Sequence, residues 1–174
     1  LSDYVRCSMR LNLCEIIDIP GSCLPFSCEL ETERLACPAI KTFVSSPFAE
    51  GQIRNIAGTL TLTGTIKSEM VCICDRCSAE FHCNKELPLE VQIAADLSDE
   101  DNPEIFPLEG TWLDLSDLLE TCFILSTETK FLCKEDCAGL CPICGKNLDD
   151  GPCGCKKEVD PRLAVLGQLL DNNN

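Results

Sequence analysis

Eight cysteines at short, regular spacings limit what this chain can become more than any other feature. They stand as Cys74-x2-Cys77, Cys133-x3-Cys137-x3-Cys141-x2-Cys144 and Cys153-x-Cys155. A Cys-x2-Cys turn points two thiolates at one tetrahedral ion, and a second pair from elsewhere in the chain closes the shell. Pro142 and Gly145 beside Cys141 and Cys144 suit such a knuckle, because glycine accepts the positive φ of a tight turn. Eight thiolates make two four-thiolate sites, and four protein thiolates leave no open coordination position. The expected cofactor is therefore structural zinc, two ions, with Cys74, Cys77, Cys133, Cys137, Cys141, Cys144, Cys153 and Cys155 as the ligands.

The spacing leaves the pairing open. One arrangement groups Cys74, Cys77, Cys133 and Cys137 around one ion and Cys141, Cys144, Cys153 and Cys155 around the other. It uses all eight, and its second site closes locally with little loop entropy. The alternative joins the 74/77 and 141/144 pairs in a single ribbon-like site. A dithiol redox pair at Cys74 and Cys77 fits less well, since such a pair opens a helix in a βαβ unit and this one lies between predicted strands. The remaining cysteines (7, 14, 23, 28, 37, 72, 83 and 122) have no ligand-like spacing and are read as small core or surface residues.

The chain has 16 cysteines in 174 residues, a density that elsewhere means a secreted disulfide scaffold. Residues 1–10 hold Asp3, Arg6 and Arg10 and no apolar core of signal-peptide length. No stretch approaches the roughly 20 apolar residues that span a bilayer. The expectation is a cytoplasmic protein, not membrane-bound, with thiols reduced or metal-bound. Met9 reads as a natural start feeding a first strand, with residues 1–8 an upstream extension or Leu1 an alternative start.

Acidic side chains number 29 against 14 basic, a formal charge of -15. Eight thiolates and two zinc ions would take this to about -19. Such a charge argues against coating duplex nucleic acid. Residues 130–174 are nearly balanced, with 6 basic and 7 acidic groups. Any nucleic-acid contact is thus expected near Lys130, Lys134, Lys146, Lys156, Lys157 and Arg162, although these lysines chiefly offset the thiolates. The single histidine, His82, removes zincin, three-histidine zinc and Ser-His-Asp chemistry and is expected to pack beside Phe81. No catalytic residues are expected.

Alternation marks the first half as β. Leu60, Leu62 and Ile66 share one face, and Leu87, Leu89, Val91 and Ile93 repeat the period. Gly51, Gly58 and Gly64 suit bends in a curved sheet. Residues 96–109 read as an acidic loop. Asp114 caps a helix near 114–125 whose Leu115, Leu118, Leu119, Cys122 and Phe123 form an apolar stripe. Asp160 and Pro161 open a last helix with Leu163, Leu166, Leu169 and Leu170 on one side. The fold class expected is α+β: a curved antiparallel β-rich body with a central helix, a C-terminal zinc-knuckle segment and a C-terminal helix. Residues 1–129 would form the acidic body and 130–174 the Cys-rich segment, integrated as one domain.

The pair Cys74-Asp-Arg-Cys77, the acidic stretch, Asp114-Leu115, the run Leu132-Cys-Lys-Glu-Asp-Cys-Ala-Gly-Leu-Cys-Pro-Ile-Cys-Gly145, Asn147-Leu148, Cys153-Gly-Cys155 and Asp160-Pro-Arg-Leu-Ala164 together resemble the YceD family, domain of unknown function 177. The resemblance runs from about Met9 to Leu170. It implies a non-enzymatic ribosome-biogenesis factor needed for accumulation or processing of 23S ribosomal RNA. Some relatives keep the early Cys-x2-Cys pair and lack the later knuckle, which supports the 74/77/133/137 grouping. The implied partners are a large-subunit ribosomal protein, the 23S rRNA precursor, or both, and acidity favours a basic protein. A zinc-stabilised interaction module of another pathway and, last, a thiol-redox protein are the competing readings.

Overall fold

The computed structural model describes residues 5–6, 10–94 and 105–155. Along the chain run β1 (Val5–Arg6), β2 (Arg10–Asn12), α1 (Cys14–Ile17), β3 (Cys23–Glu29), β4 (Ile40–Phe43), β5 (Phe48–Ile56), β6 (Thr59–Ile73), β7 (Glu80–Ala94), β8 (Ile105–Pro107), β9 (Trp112–Asp114) and α2 (Leu115–Ser126). The result is a mostly β body with few helices, followed by the cysteine clusters. The last predicted helix, around 160–170, and most of the acidic loop lie outside the described residues.

β6 is the spine. Its residues 60, 62, 66, 68, 70 and 72 are buried and alternate with more exposed ones, so one face of a 15-residue strand supplies much of the core. β7 pairs antiparallel with it from Leu60–Ile93 to Ile73–Glu80. On the other edge β5 covers residues 59–67 and β4 covers 70–72, one after the other. β3 extends the sheet beyond β5. The expected antiparallel sheet proves mixed, because β1 lies parallel to β3 and β8 parallel to β7. β2 and β9 form a separate two-stranded sheet.

The predicted glycine bends are where the strands touch most closely. Gly51 and Gly64 face each other across β5 and β6. A Cβ on Gly51 would run into the Thr63 carbonyl, and one on Gly64 into the Glu50 carbonyl. Only side-chain-free backbone lets the two strands coil together here. The β5–β6 turn is made by Ala57 and Gly58, both at positive φ, as a tight hairpin with right-handed twist requires.

The core face is covered by α2, whose buried residues are Leu115, Leu118, Leu119, Glu120 and Phe123. The Asp114 side chain caps it by accepting from the Asp117 N–H. Cys122, expected in the stripe, is only half-buried, and Glu120 takes an inward place by pairing with Arg34 at 3.1 Å. The Phe123 ring stands 6.1 Å from that of Phe43 on β4. Among the described cysteines, fourteen are free thiols and Cys28 is disulfide-bonded, a departure from the expectation of uniformly reduced or metal-bound thiols. No described helix is long and apolar enough to cross a membrane.

Candidate metal centres

The first centre grows from the tip of the longest hairpin. Cys74 continues the buried alternation of β6 one step past the strand end, and its carbonyl accepts from the Ser78 N–H. Ser78, at φ 58, turns the chain back so that the Cys74 N–H reaches the Ala79 carbonyl. Cys74 and Cys77 thus stand on one side of a closed knuckle.

The residues between them hold the other half of the centre. The Asp75 carboxylate accepts from the Phe131 N–H at 2.7 Å, while the Asp75 N–H donates to the Phe131 carbonyl. The Arg76 guanidinium donates to the Cys137 carbonyl at 2.9 Å, and the Arg76 carbonyl accepts from the Leu140 N–H. Phe131 is itself buried, with the Lys85 ammonium 5.5 Å from its ring centre. This anchoring brings Cys133 and Cys137 to the knuckle.

The second centre is local. The Cys141 N–H donates to the Lys146 carbonyl, and the N–H of Gly145, at φ 71, donates back to the Cys141 carbonyl. The Ile143 N–H points at the Cys141 sulfur from 3.5 Å. Asn147 caps a short 3-10 turn, Leu148–Asp150, and Gly151 at φ 114 sends the chain toward Cys153 and Cys155.

In this way the eight cysteines are brought into two sets. Cys74, Cys77, Cys133 and Cys137 form one, and Cys141, Cys144, Cys153 and Cys155 the other, with the four sulfurs of each set within 4.8 Å of one another. In the first, Cys74 and Cys137 sulfurs are 3.8 Å apart and those of Cys77 and Cys133 3.6 Å. Four sulfurs bound at about 2.3 Å to one tetrahedral ion are separated by about 3.8 Å. Those two separations match a tetrahedral shell, and the soft all-sulfur donor sets suit zinc or iron. A bound ion would supply a cross-link and, with all four positions filled by protein, no reactive face.

The electrostatics of each set favour a cation. Burial pushes the Cys74 thiol up, but N–H groups of Cys133, Cys77 and Arg76 outweigh it and hold the thiol down to about 6. Burial pushes Cys137 up to about 12 against the opposing N–H of Gly139. In the second set the N–H groups of Cys144 and Ile143 bring Cys141 down to about 6, while the Cys144 side chain and then burial push Cys155 up to about 12. In the first set burial raises Cys133 as well, so each set holds thiols pushed in both directions, and a divalent cation binding them as thiolates would displace protons.

His82 is exposed on β7 and lies in neither set, so it is not packed as its neighbour Phe81 suggested. Lys134 pairs with Asp149 at 2.9 Å and Lys146 reaches the Pro152 carbonyl, in line with lysines that serve the local structure. Lys156, Lys157 and Arg162 lie outside the described residues. Asp75, Arg76, Gly139 and Asp149 escape sequence reasoning. The Asp-Arg pair between the first two cysteines is the available signal, and only the fold shows what it grips.

Comparison with known proteins adds a lineage. The chain is 26% identical over 123 residues to uncharacterized proteins of Mycobacterium bovis and Mycobacterium tuberculosis, a match covering 68% of this chain and 59% of theirs. An uncharacterized protein of Mycobacterium leprae matches at 23% over 124 residues, 68% of this chain and 57% of its own. The chain thus spans less than two thirds of these relatives' length. No solved structure matches it. Residues 62–170, which contain both cysteine sets, match the family described as large ribosomal RNA subunit accumulation protein YceD, and the chain belongs to that family.

Proposed function

We propose that this chain is a non-enzymatic, cytoplasmic ribosome-biogenesis factor that supports accumulation or processing of 23S ribosomal RNA. It binds a basic large-subunit ribosomal protein, the rRNA precursor, or both, and two zinc ions hold its C-terminal part in shape. The family match over residues 62–170 carries this reading. Two further observations support it. The closed all-sulfur sets suit a structural ion rather than a catalytic one. The charge of -15 suits a basic protein partner, whose approach it would steer and hold in register.

A tagged pull-down from the source cell, with and without nuclease, tests the proposal. Large-subunit proteins or pre-23S RNA should be enriched, and nuclease resistance would identify protein as the direct contact. Enrichment of neither would remove the ribosomal reading. Metal analysis of the purified chain should return two equivalents of zinc per chain, and stoichiometric iron instead would overturn the metal assignment.

A further inference from the structure

We propose that the two cysteine sets are one coupled unit in which Arg76 makes metal affinity at the second depend on closure of the first. The inference rests on the metal reading above and concerns how the chain links the two sites.

Only Ala138, Gly139 and Leu140 separate Cys137, the last member of the first set, from Cys141, the first member of the second. Arg76 grips this linker at both ends. The guanidinium donates to the Cys137 carbonyl at 2.9 Å, where the linker begins. The Arg76 carbonyl accepts from the Leu140 N–H at 3.1 Å, where it ends. Between them Gly139 adopts φ 77, and a Cβ there would sit 3.0 Å from the same carbonyl. The opposite side of the linker is tied to the second centre. The Gly139 carbonyl accepts from the Leu148 N–H at 2.9 Å, Leu140 bridges to Asn147, and the Asp149 carboxylate accepts from the Ala138 N–H at 3.1 Å.

Arg76 sits between two ligands of the first set, so its position is fixed when that set closes. An ordered Arg76 then presents a finished template to the linker, and the second set assembles on it with less entropy left to lose. Without closure the linker must be ordered by the second ion alone. Arg76 is thus a positioning residue, acting on the second ion through the backbone of 137–140. Coupling between binding sites is reciprocal, so an ion in the second set must tighten the first by the same factor.

Metal titration of the full chain tests this, with cobalt(II) read by its thiolate absorption and zinc(II) by competition with a chromophoric chelator. Disabling the first set (Cys74→Ser with Cys77→Ser) should weaken the second about tenfold, the order expected from losing a pair of hydrogen bonds. Disabling the second (Cys144→Ser with Cys153→Ser) should weaken the first equally. Arg76→Ala, which removes the guanidinium bond and keeps the backbone one, should keep two sites and shrink the coupling between them, and Arg76→Lys, which keeps a charged N–H donor, should recover part of what is lost. If Arg76→Ala does not fold, Gly139→Ala, which forces the linker off the Arg76 carbonyl, should shrink the coupling in its place. Equal affinities whether or not the other set is intact would overturn the coupling and leave the metal sites standing. Failure of both sets to take up either metal would overturn the metal reading and the coupling with it.

Discussion

Single residues carry the least legible parts of this structure. Asn55 lies in β5 at a place where alternation alone asks for an apolar side chain, and it is 1% exposed. Its amide donates to the Ile16 and Ile17 carbonyls, both at 2.8 Å, and its oxygen accepts from the Gly58 N–H. One side chain therefore ties α1 to the β5–β6 turn. Asn55→Ala should cost about 2–3 kcal/mol in urea unfolding, since it orphans several buried backbone groups at once. Nothing in the sequence marks this asparagine, because its α1 partners lie almost 40 positions earlier and only the fold brings them near. Glu120 is similar: burial raises its carboxyl above the ordinary carboxylate range, and the nearby Arg34 charge offsets only part of that. A raised folded-state value favours the protonated form. The associated stability is complete below about pH 4 and is lost as pH climbs through the raised value. Glu120→Gln should therefore gain in melting temperature relative to the parent between about pH 4 and pH 7, and a constant difference across that range would refute the assignment.

At the scale of elements, periodicity served well and topology did not. The alternation of β6 and β7 and the capped stripe of α2 could be read directly, since each is local and each repeats several times. That β4 and β5 share one edge of β6, and that β1 and β8 join parallel, depends on contacts between distant segments and leaves no local mark. The glycine bends fall between these cases. Gly51 and Gly64 are visible as interruptions, but their face-to-face pairing is not. Gly64→Ala should destabilise the fold by about 1–3 kcal/mol, because the added methyl meets main chain and not a yielding side chain. Chemical denaturation of this variant checks it, and an unchanged midpoint would mean that the strands can separate at no cost. The cysteine groups are the clearest sequence signal of all, yet spacing alone leaves two pairings open, and three-dimensional placement is needed to separate the eight into two sets.

The whole molecule divides its stability between two sources. The β body has a contiguous apolar core running from Leu11 to Phe131, whereas the buried groups around the first centre are chiefly Cys74, Cys77 and Cys137. On the metal reading proposed above, a segment with so little apolar area to bury would depend on a bound ion for structure. Removing metal with a strong chelator should collapse the amide dispersion of residues 133–155 in NMR spectra while the signals of β3, β5 and β6 persist. Retained dispersion throughout would mean the cysteine segment is held by protein contacts alone. The long separation of the first ligand pair from its complement also sets a timetable. Cys77 and Cys133 are 56 positions apart. At about 5–20 residues added per second, the nascent chain carries Cys74 and Cys77 for roughly 3–12 s before both Cys133 and Cys137 have been added. During that interval the first two thiols have no complement, so the first set closes only after residues 78–137 have been added.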